Sequence, residues 1–242
     1  MSELKFIDIS NHQGNNGFKL ANHLDQIDAV ICKATQGTYY VDPYCDVFVQ
    51  TAIAAGKLWG FYCFADSRYD PKSTSDYLIE NCKNYIGRGV PVLDWEDLYE
   101  NGLQVSNPSV SWINEFTKQF YCDTGIHPWI YANPWRFNQG GVDADCMRWI
   151  ADYPNVMSPS IDYTLPDIPE TDGLVGAWQF CSDGRLAGYS HDLDFNRFFG
   201  DAAAWQLYAT GGKAAENSES GQPSAETYEL ENDSVKVTVE LK

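Results

Sequence analysis

Val90-Pro91-Val92-Leu93-Asp94-Trp95-Glu96-Asp97 is an apolar run that ends in two acids separated by one tryptophan. In a β-strand successive side chains alternate faces, so Asp94 and Glu96 share one face while Leu93 and Trp95 share the other. The two Cα atoms would then lie roughly 6.5 Å apart, at about 3.3 Å of rise per residue. Carboxyls held side by side in a cleft repel, which raises one pKa and suits a proton-sharing acid and base pair, as glycosidases use. A single acid pair after a strand also opens many a polar loop. The neighbouring segments therefore decide.

Working outward, the same design recurs. Residues 4–8 alternate and end on Asp8, residues 29–33 end on Lys33, and residues 58–65 carry Tyr62. Further strands are expected at 127–132, with Tyr131, at 147–152, at 175–180 and at 191–195, where Asp192 and Asp194 again share a face. Helical spacing predicts helices over 44–55, closed by Gly56, over 71–85, and over 109–123, capped by Asn107-Pro108. The stretch 153–172 reads as a long irregular loop. Strands and helices alternate in the first half but not in the second. This predicts an α/β fold, an irregular (β/α)8 TIM-like barrel with a degenerate C-terminal half. Catalytic groups of such barrels come from the C-terminal strand ends, where Asp8, Lys33, Tyr62, Asp94, Glu96, Tyr131 and Asp194 all fall. Four acids on three strands point to a cleft, since burying them without function would cost several kcal/mol.

Composition sets the outer limits. The barrel is expected over 1–207, a Gly, Ser, Ala and Glu-rich flexible linker over 208–226, and a short β segment over 227–242. A formal net charge of −18 excludes nucleic acid and anionic membrane surfaces as natural partners. Seven cysteines without a C-x-x-C pair read as reduced, mostly buried thiols. The first residues lack the apolar core of a signal peptide, so synthesis in the cytoplasm without a signal peptide is expected. Eight Trp and fifteen Tyr suit a cleft that stacks sugar rings, though aromatic cores use them too.

The order of short motifs resembles glycoside hydrolase family 25, the muramidases of phage lysins and of bacterial and fungal lysozymes. The motifs are Asp8-Ile9-Ser10-Asn11-His12-Gln13-Gly14, Lys33-Ala34-Thr35 leading to Tyr40-Val41-Asp42, Gly60-Phe61-Tyr62, Val92-Leu93-Asp94-Trp95-Glu96, Trp129-Ile130-Tyr131, Trp149-Ile150-Ala151-Asp152-Tyr153, Trp178-Gln179 and Asp194-Phe195-Asn196. Together they cover about residues 5 to 200. The resemblance implies cleavage of the β-1,4 bond between N-acetylmuramic acid and N-acetylglucosamine in peptidoglycan glycan strands, with no cofactor or metal. It implies Glu96 as general acid and Asp94 as its partner, steering the substrate 2-acetamido group or stabilising the oxocarbenium-like charge. Asp8 and Asp194 match flanking acids, the Asp-x-Asn motif favouring Asp194 over Asp192. Lys33, Tyr40, Tyr62 and Tyr131 match groups that line the sugar site. It further implies a phage endolysin released to the cell wall at host lysis. The chain departs from the family at Gln36, where Glu is frequent, and at Cys63, where His is frequent. Two rival expectations are a metal-dependent polysaccharide deacetylase, using Asp8, His12 and the later acids, and a non-catalytic glycan-binding barrel.

Overall fold

The computed structural model describes residues 3–212 and, in the tail, the backbone of two short strands, Glu229–Asn232 and Val235–Thr238, which pair antiparallel. Residues 213–228, most of the expected linker, lie outside the described residues.

Eight strands form the frame: β1 (Leu4–Ile9), β2 (Ala29–Gln36), β3 (Leu58–Phe64), β4 (Val90–Asp94), β5 (Trp129–Ala132), β6 (Arg148–Ala151), β7 (Val175–Gly184) and β8 (Leu193–Phe198). Strands β1 to β7 run parallel to their sequence neighbours. The eighth, β8, is antiparallel both to β7 and to β1, and these pairings close the barrel. The turn between β7 and β8 is too short for a crossover helix, so a hairpin is the only connection open to it. A degenerate second half was expected; the reversed strand is its structural form. The last strand also begins later than the expected 191–195. Asp192 lies before it, and its carboxylate pairs with Arg185 at 2.7 Å.

Alternation sorts the strand side chains into two cores. Phe6, Ala29, Ile31, Val90, Val92, Trp129, Trp149, Ala177 and Phe198 point into the barrel. Ile7, Val30, Phe61, Cys63, Leu93, Ile130, Trp178 and Phe195 point outward, against the helices. The helical layer consists of α1 (Asn11–Asn15), α2 (Cys45–Ala54), α3 (Pro71–Cys82), α4 (Val110–Thr124) and α5 (Pro134–Phe137). Asp70 caps α3 through the Ser73 N–H, with Pro71 in the first turn. Ser109 caps α4 through the Trp112 N–H, one residue after the Asn107-Pro108 pair expected to do so.

A last helix, α6 (Ala202–Thr210), closes the end of the barrel opposite the acids. Trp205 is fully buried there, its ring edge-on to Phe6, Trp129 and Phe198, and its indole N–H donates to the Trp59 carbonyl at 3.1 Å. Ala209 is also buried, so the boundary expected after residue 207 falls inside a packed helix. Its stop is Gly211, whose positive φ of 67° admits the left-handed cap.

All seven cysteines are free, and only Cys122 is exposed. Among the described residues no helix is long and apolar enough to cross a membrane.

Candidate active site

The inward-facing positions change character along the barrel axis. At the α6 end they are apolar; at the C-terminal end of the parallel strands the same faces carry Asp8, Lys33, Tyr62, Asp94, Tyr131 and Gln179. These groups line a cleft of about 300 Å³, to which Glu96, Asp194, Tyr153 and Trp149 also contribute. That volume is at the lower end for a small-ligand site. Seven of the eight expected site residues thus come together, six of them by strand parity; Tyr40 is the exception.

Strand β4 ends at Asp94, two residues before Glu96. Glu96 reaches the cleft because the chain is pinned on either side of it. The Trp95 N–H donates to the Tyr131 carbonyl at 2.8 Å, and the Trp95 indole donates to the Pro108 carbonyl at 2.7 Å. Asp97 accepts from Arg136 Nη2 at 2.6 Å. The Arg136 guanidinium also lies 5.1 Å from the Trp95 ring centroid, so one buried arginine from α5 holds both neighbours of Glu96.

The four acids stand in different surroundings. Asp94 is 8% exposed, and its Oδ1 has no hydrogen-bond partner among the described residues. Burial, and then the Glu96 charge, push its carboxyl well above the usual range, against the pull of Lys33. Glu96 presents surface to solvent at the cleft mouth but is crowded by the cleft walls. That partial desolvation raises it, while the Arg136 charge opposes the rise. Asp8 is raised to about 6 by desolvation, although its Oδ2 accepts from Asn196 Nδ2 at 2.8 Å and Gln179 Nε2 at 3.0 Å. Asp194 is raised by desolvation and then by Asp8. Acids that hold protons above their ordinary range are equipped for acid and base work near neutrality.

Lys33 is nearly buried and donates to Gln36 Oε1 at 2.8 Å, with its Nζ 4.9 Å from the Phe64 ring centroid. Desolvation lowers its pKa. Tyr40 does not line the cleft. The short strand Tyr40–Val41 pairs with the end of β2, setting Tyr40 opposite Gln36, and its ring centroid lies 5.7 Å from Lys33 Nζ. Tyr40 thus flanks the lysine that lines the cleft. Gln36 takes the Lys33 hydrogen bond, and Cys63 faces the outer core, where it is fully buried. Phe64 and His12 are in the cleft wall.

Trp149, Tyr153, Gln179 and Asn196 belong to the motifs but carry no role that the motifs alone imply. They form one hydrogen-bonded unit beneath Asp8. Tyr131 and Tyr153 both donate to Gln179 Oε1, at 2.7 and 2.6 Å, and the Trp149 indole donates to Asn196 Oδ1 at 2.9 Å. A glutamine in an otherwise apolar strand, on the inward parity, was the available signal.

For the rival metal site, one Asp8 oxygen, Oδ2, already accepts from two amide donors. The His, Asp and Cys side chains that do approach one another, His127, Asp143 and Cys146, precede β5 and β6, away from the cleft. The Arg148 guanidinium donates to the carbonyls of both Asp143 and Cys146, placing a cation there already.

Comparison with known proteins agrees with this geometry. The family model described as glycosyl hydrolases family 25 matches residues 7–189. The chain is 29% identical to lysozyme M1 of Streptomyces globisporus over 215 residues, 84% of this chain and 70% of that protein. It is 30% identical to the N,O-diacetylmuramidase of a Chalaropsis species over 118 residues, 43% of this chain and 54% of that protein. The crystal structure of the bacterial lysozyme from Streptomyces coelicolor superposes with a TM-score of 0.71 at 25% identity, covering 88% of this chain and all of that one.

Proposed function

The chain belongs to glycosyl hydrolase family 25, and from that premise we propose that it is an N-acetylmuramidase acting on peptidoglycan. It cleaves the β-1,4 bond between N-acetylmuramic acid and N-acetylglucosamine. The observation that carries this reading is the convergence of Asp94 and Glu96 on one cleft, both held above their ordinary pKa by their surroundings. Similarity to curated lysozymes and muramidases supports the same bond.

Glu96, at the open mouth, gives its proton to the leaving glycosidic oxygen. Asp94 lies deeper, and its unpartnered Oδ1 is an acceptor in want of a donor. The N–H of a substrate 2-acetamido group supplies one. Held there, the acetamido carbonyl is turned toward the anomeric carbon and attacks it as the leaving oxygen departs, in the substrate-assisted route to retention. Water then opens the intermediate, with Glu96 taking the proton back. Asp8 and Asp194 add negative potential where positive charge develops on the sugar ring.

The test is digestion of purified peptidoglycan, reduction of the products with borohydride, and identification of the new sugar alcohol. Muramitol, lost in Glu96→Gln, is the expected result. Glucosaminitol would overturn the bond assignment, and acetate release without a new reducing end would favour the deacetylase. An unchanged glycan that is nevertheless bound would favour the silent binder.

The finer part of the proposal is the setting, a phage endolysin that reaches the wall at host lysis; the occurrence of phage lysins in the family supports it. Expression inside a bacterium whose wall the enzyme digests in vitro should lyse cells only when a membrane pore is co-expressed. Lysis without a pore would contradict the endolysin setting.

A further inference from the structure

Strand β2 ends at Gln36 and the chain turns back into the short strand at Tyr40, so Gly37-Thr38-Tyr39 is the three-residue tip of a hairpin. Gly37 takes a φ of 51°, and a Cβ there would meet Tyr69 Cδ2 at 2.9 Å and Tyr39 Cε1 at 3.0 Å. Glycine thus lets two aromatic rings close over the tip. Tyr39 and Tyr69 stack, with centroids 5.2 Å apart and planes 27° from parallel.

Both rings are fixed in place. Tyr69 ends the turn that follows β3: its N–H donates to the Asp66 carbonyl at 3.0 Å, and its own carbonyl accepts from the Trp112 indole at 2.9 Å. The buried Asp66 carboxylate holds the Arg68 guanidinium at 2.6 Å, which stiffens the same turn. Tyr39 is tied to the cleft wall through Gln36, whose amide donates to the Tyr39 hydroxyl at 2.8 Å while its oxygen accepts from Lys33 Nζ at 2.8 Å. An amide can accept and donate at once; a carboxylate in its place has no hydrogen to give. The Gly37 N–H donates at 3.3 Å to the carbonyl of Phe64, which lines the cleft beside Lys33. Tyr39 is nonetheless 48% exposed. With its hydroxyl held by Gln36 and one face covered by Tyr69, the other face carries that exposure.

A lone exposed tyrosine needs no explanation. This one is immobilised from two sides and sits one amide away from a lysine of the cleft. The cleft measures only about 300 Å³, whereas the substrate is a polymer, so a bound strand has to run out over the rim. Sugar rings turn apolar C–H faces toward aromatic side chains. A tyrosine already locked in position makes that contact with little further loss of side-chain freedom.

We propose that Tyr39, backed by Tyr69, is a sugar-stacking platform outside the cleft: it takes the pyranose face of a further residue of the same glycan strand, beyond the sugar that sits beside Lys33. The platform rests on the reading of the chain as a muramidase, and it makes long strands better ligands than short ones.

The test is calorimetric titration of the full chain, in a Glu96→Gln background that leaves the glycan intact, with peptidoglycan glycan fragments of one and of three disaccharide repeats. Tyr39→Ala should weaken binding of the longer fragment about 3- to 10-fold more than that of the disaccharide, the size of one aromatic contact. Tyr39→Trp and Tyr39→Phe keep a ring in place and should retain the greater part of the preference for length. Equal losses on the two fragments would overturn the platform, as would an unchanged affinity of Tyr39→Ala for the longer one. Tyr39→Phe behaving as Tyr39→Ala would overturn it too, because it would assign the effect to the hydrogen bond with Gln36. Glycan release by Glu96→Gln would instead overturn the general-acid reading, and the comparison of lengths would still decide the platform. A wild type that neither binds nor cleaves glycan would overturn both.

Discussion

Asp8 on β1 and Asp194 on β8 stand directly opposite each other in antiparallel register at the rim of the cleft. Like charges so placed destabilise a sheet pair, and Asp194 is raised above the ordinary carboxylate range by desolvation and by Asp8. A carboxyl whose folded-state pKa is raised favours folding fully below its unfolded value and loses that contribution as pH rises through the folded value. Asp194→Asn should therefore raise the melting temperature at pH 7.5 by about 1–3 °C. The gain should vanish near pH 3.5, where the acid is protonated in both states. Calorimetry at the two pH values checks it; an equal gain at both would assign the effect to something other than charge.

The profile of kcat/KM against pH should be bell-shaped. Glu96 acts protonated, so activity declines on the alkaline side as it ionises. Asp8 acts as an anion and is raised to about 6, so activity declines as pH falls through that value. Asp8→Asn should remove the acid limb and leave the alkaline one, at a lower maximum. Initial rates of glycan release across pH 4 to 9 decide the matter, and an acid limb that survives in Asp8→Asn would belong to another carboxyl, with Asp94 the first candidate.

Arg136 is buried, and it holds Asp97 and the Trp95 ring on either side of Glu96. Its charge also opposes the rise in the Glu96 pKa. Arg136→Met should act in two directions at once. The alkaline limb should move to higher pH, while stability falls by about 1–3 kcal/mol through the lost charged hydrogen bonds. Asp97→Asn keeps the guanidinium and should lose stability without that upward move. Chemical denaturation and the pH profile, measured on both variants, separate the electrostatic effect from the mechanical one.

These residues show what could and could not be read along the chain. Inward parity at the strand ends is local information, so Asp8, Lys33, Tyr62, Asp94 and Tyr131 were legible from alternation, whereas Asp194 needed its motif to separate it from Asp192 on the same face. Glu96 was legible too, but for an incomplete reason: the strand stops at Asp94, and contacts with Tyr131, Pro108 and Arg136 carry Glu96 into the cleft. Those partners are distant in sequence, and Arg136 lies 39 positions from Asp97. The reversal of β8 was illegible because antiparallel and parallel strands share the same period of two. The place of Tyr40 beside Lys33 follows from its pairing with Gln36, a register that its motif does not carry.

The floor of the barrel supplies the last prediction. The inward faces at this end are apolar and would be open to water without α6, whose Trp205 is fully buried among Phe6, Trp129 and Phe198. The helix is only nine residues long, from Ala202 to Thr210, and a segment so short gains its stability from packing rather than from helix propensity. Trp205→Ala should cost about 3–5 kcal/mol, the usual loss for a buried aromatic truncated to alanine. A chain ended after Gly212 should keep the melting temperature and the activity of the full chain on soluble glycan fragments. Ending it after Asp201 instead removes the whole floor and should give an aggregating or unfolded product. Limited proteolysis followed by mass spectrometry tests the same boundary: the stable core should retain Thr210. A stable, active core that ends before Ala202 would show that the barrel closes on its own strands and that α6 only covers it.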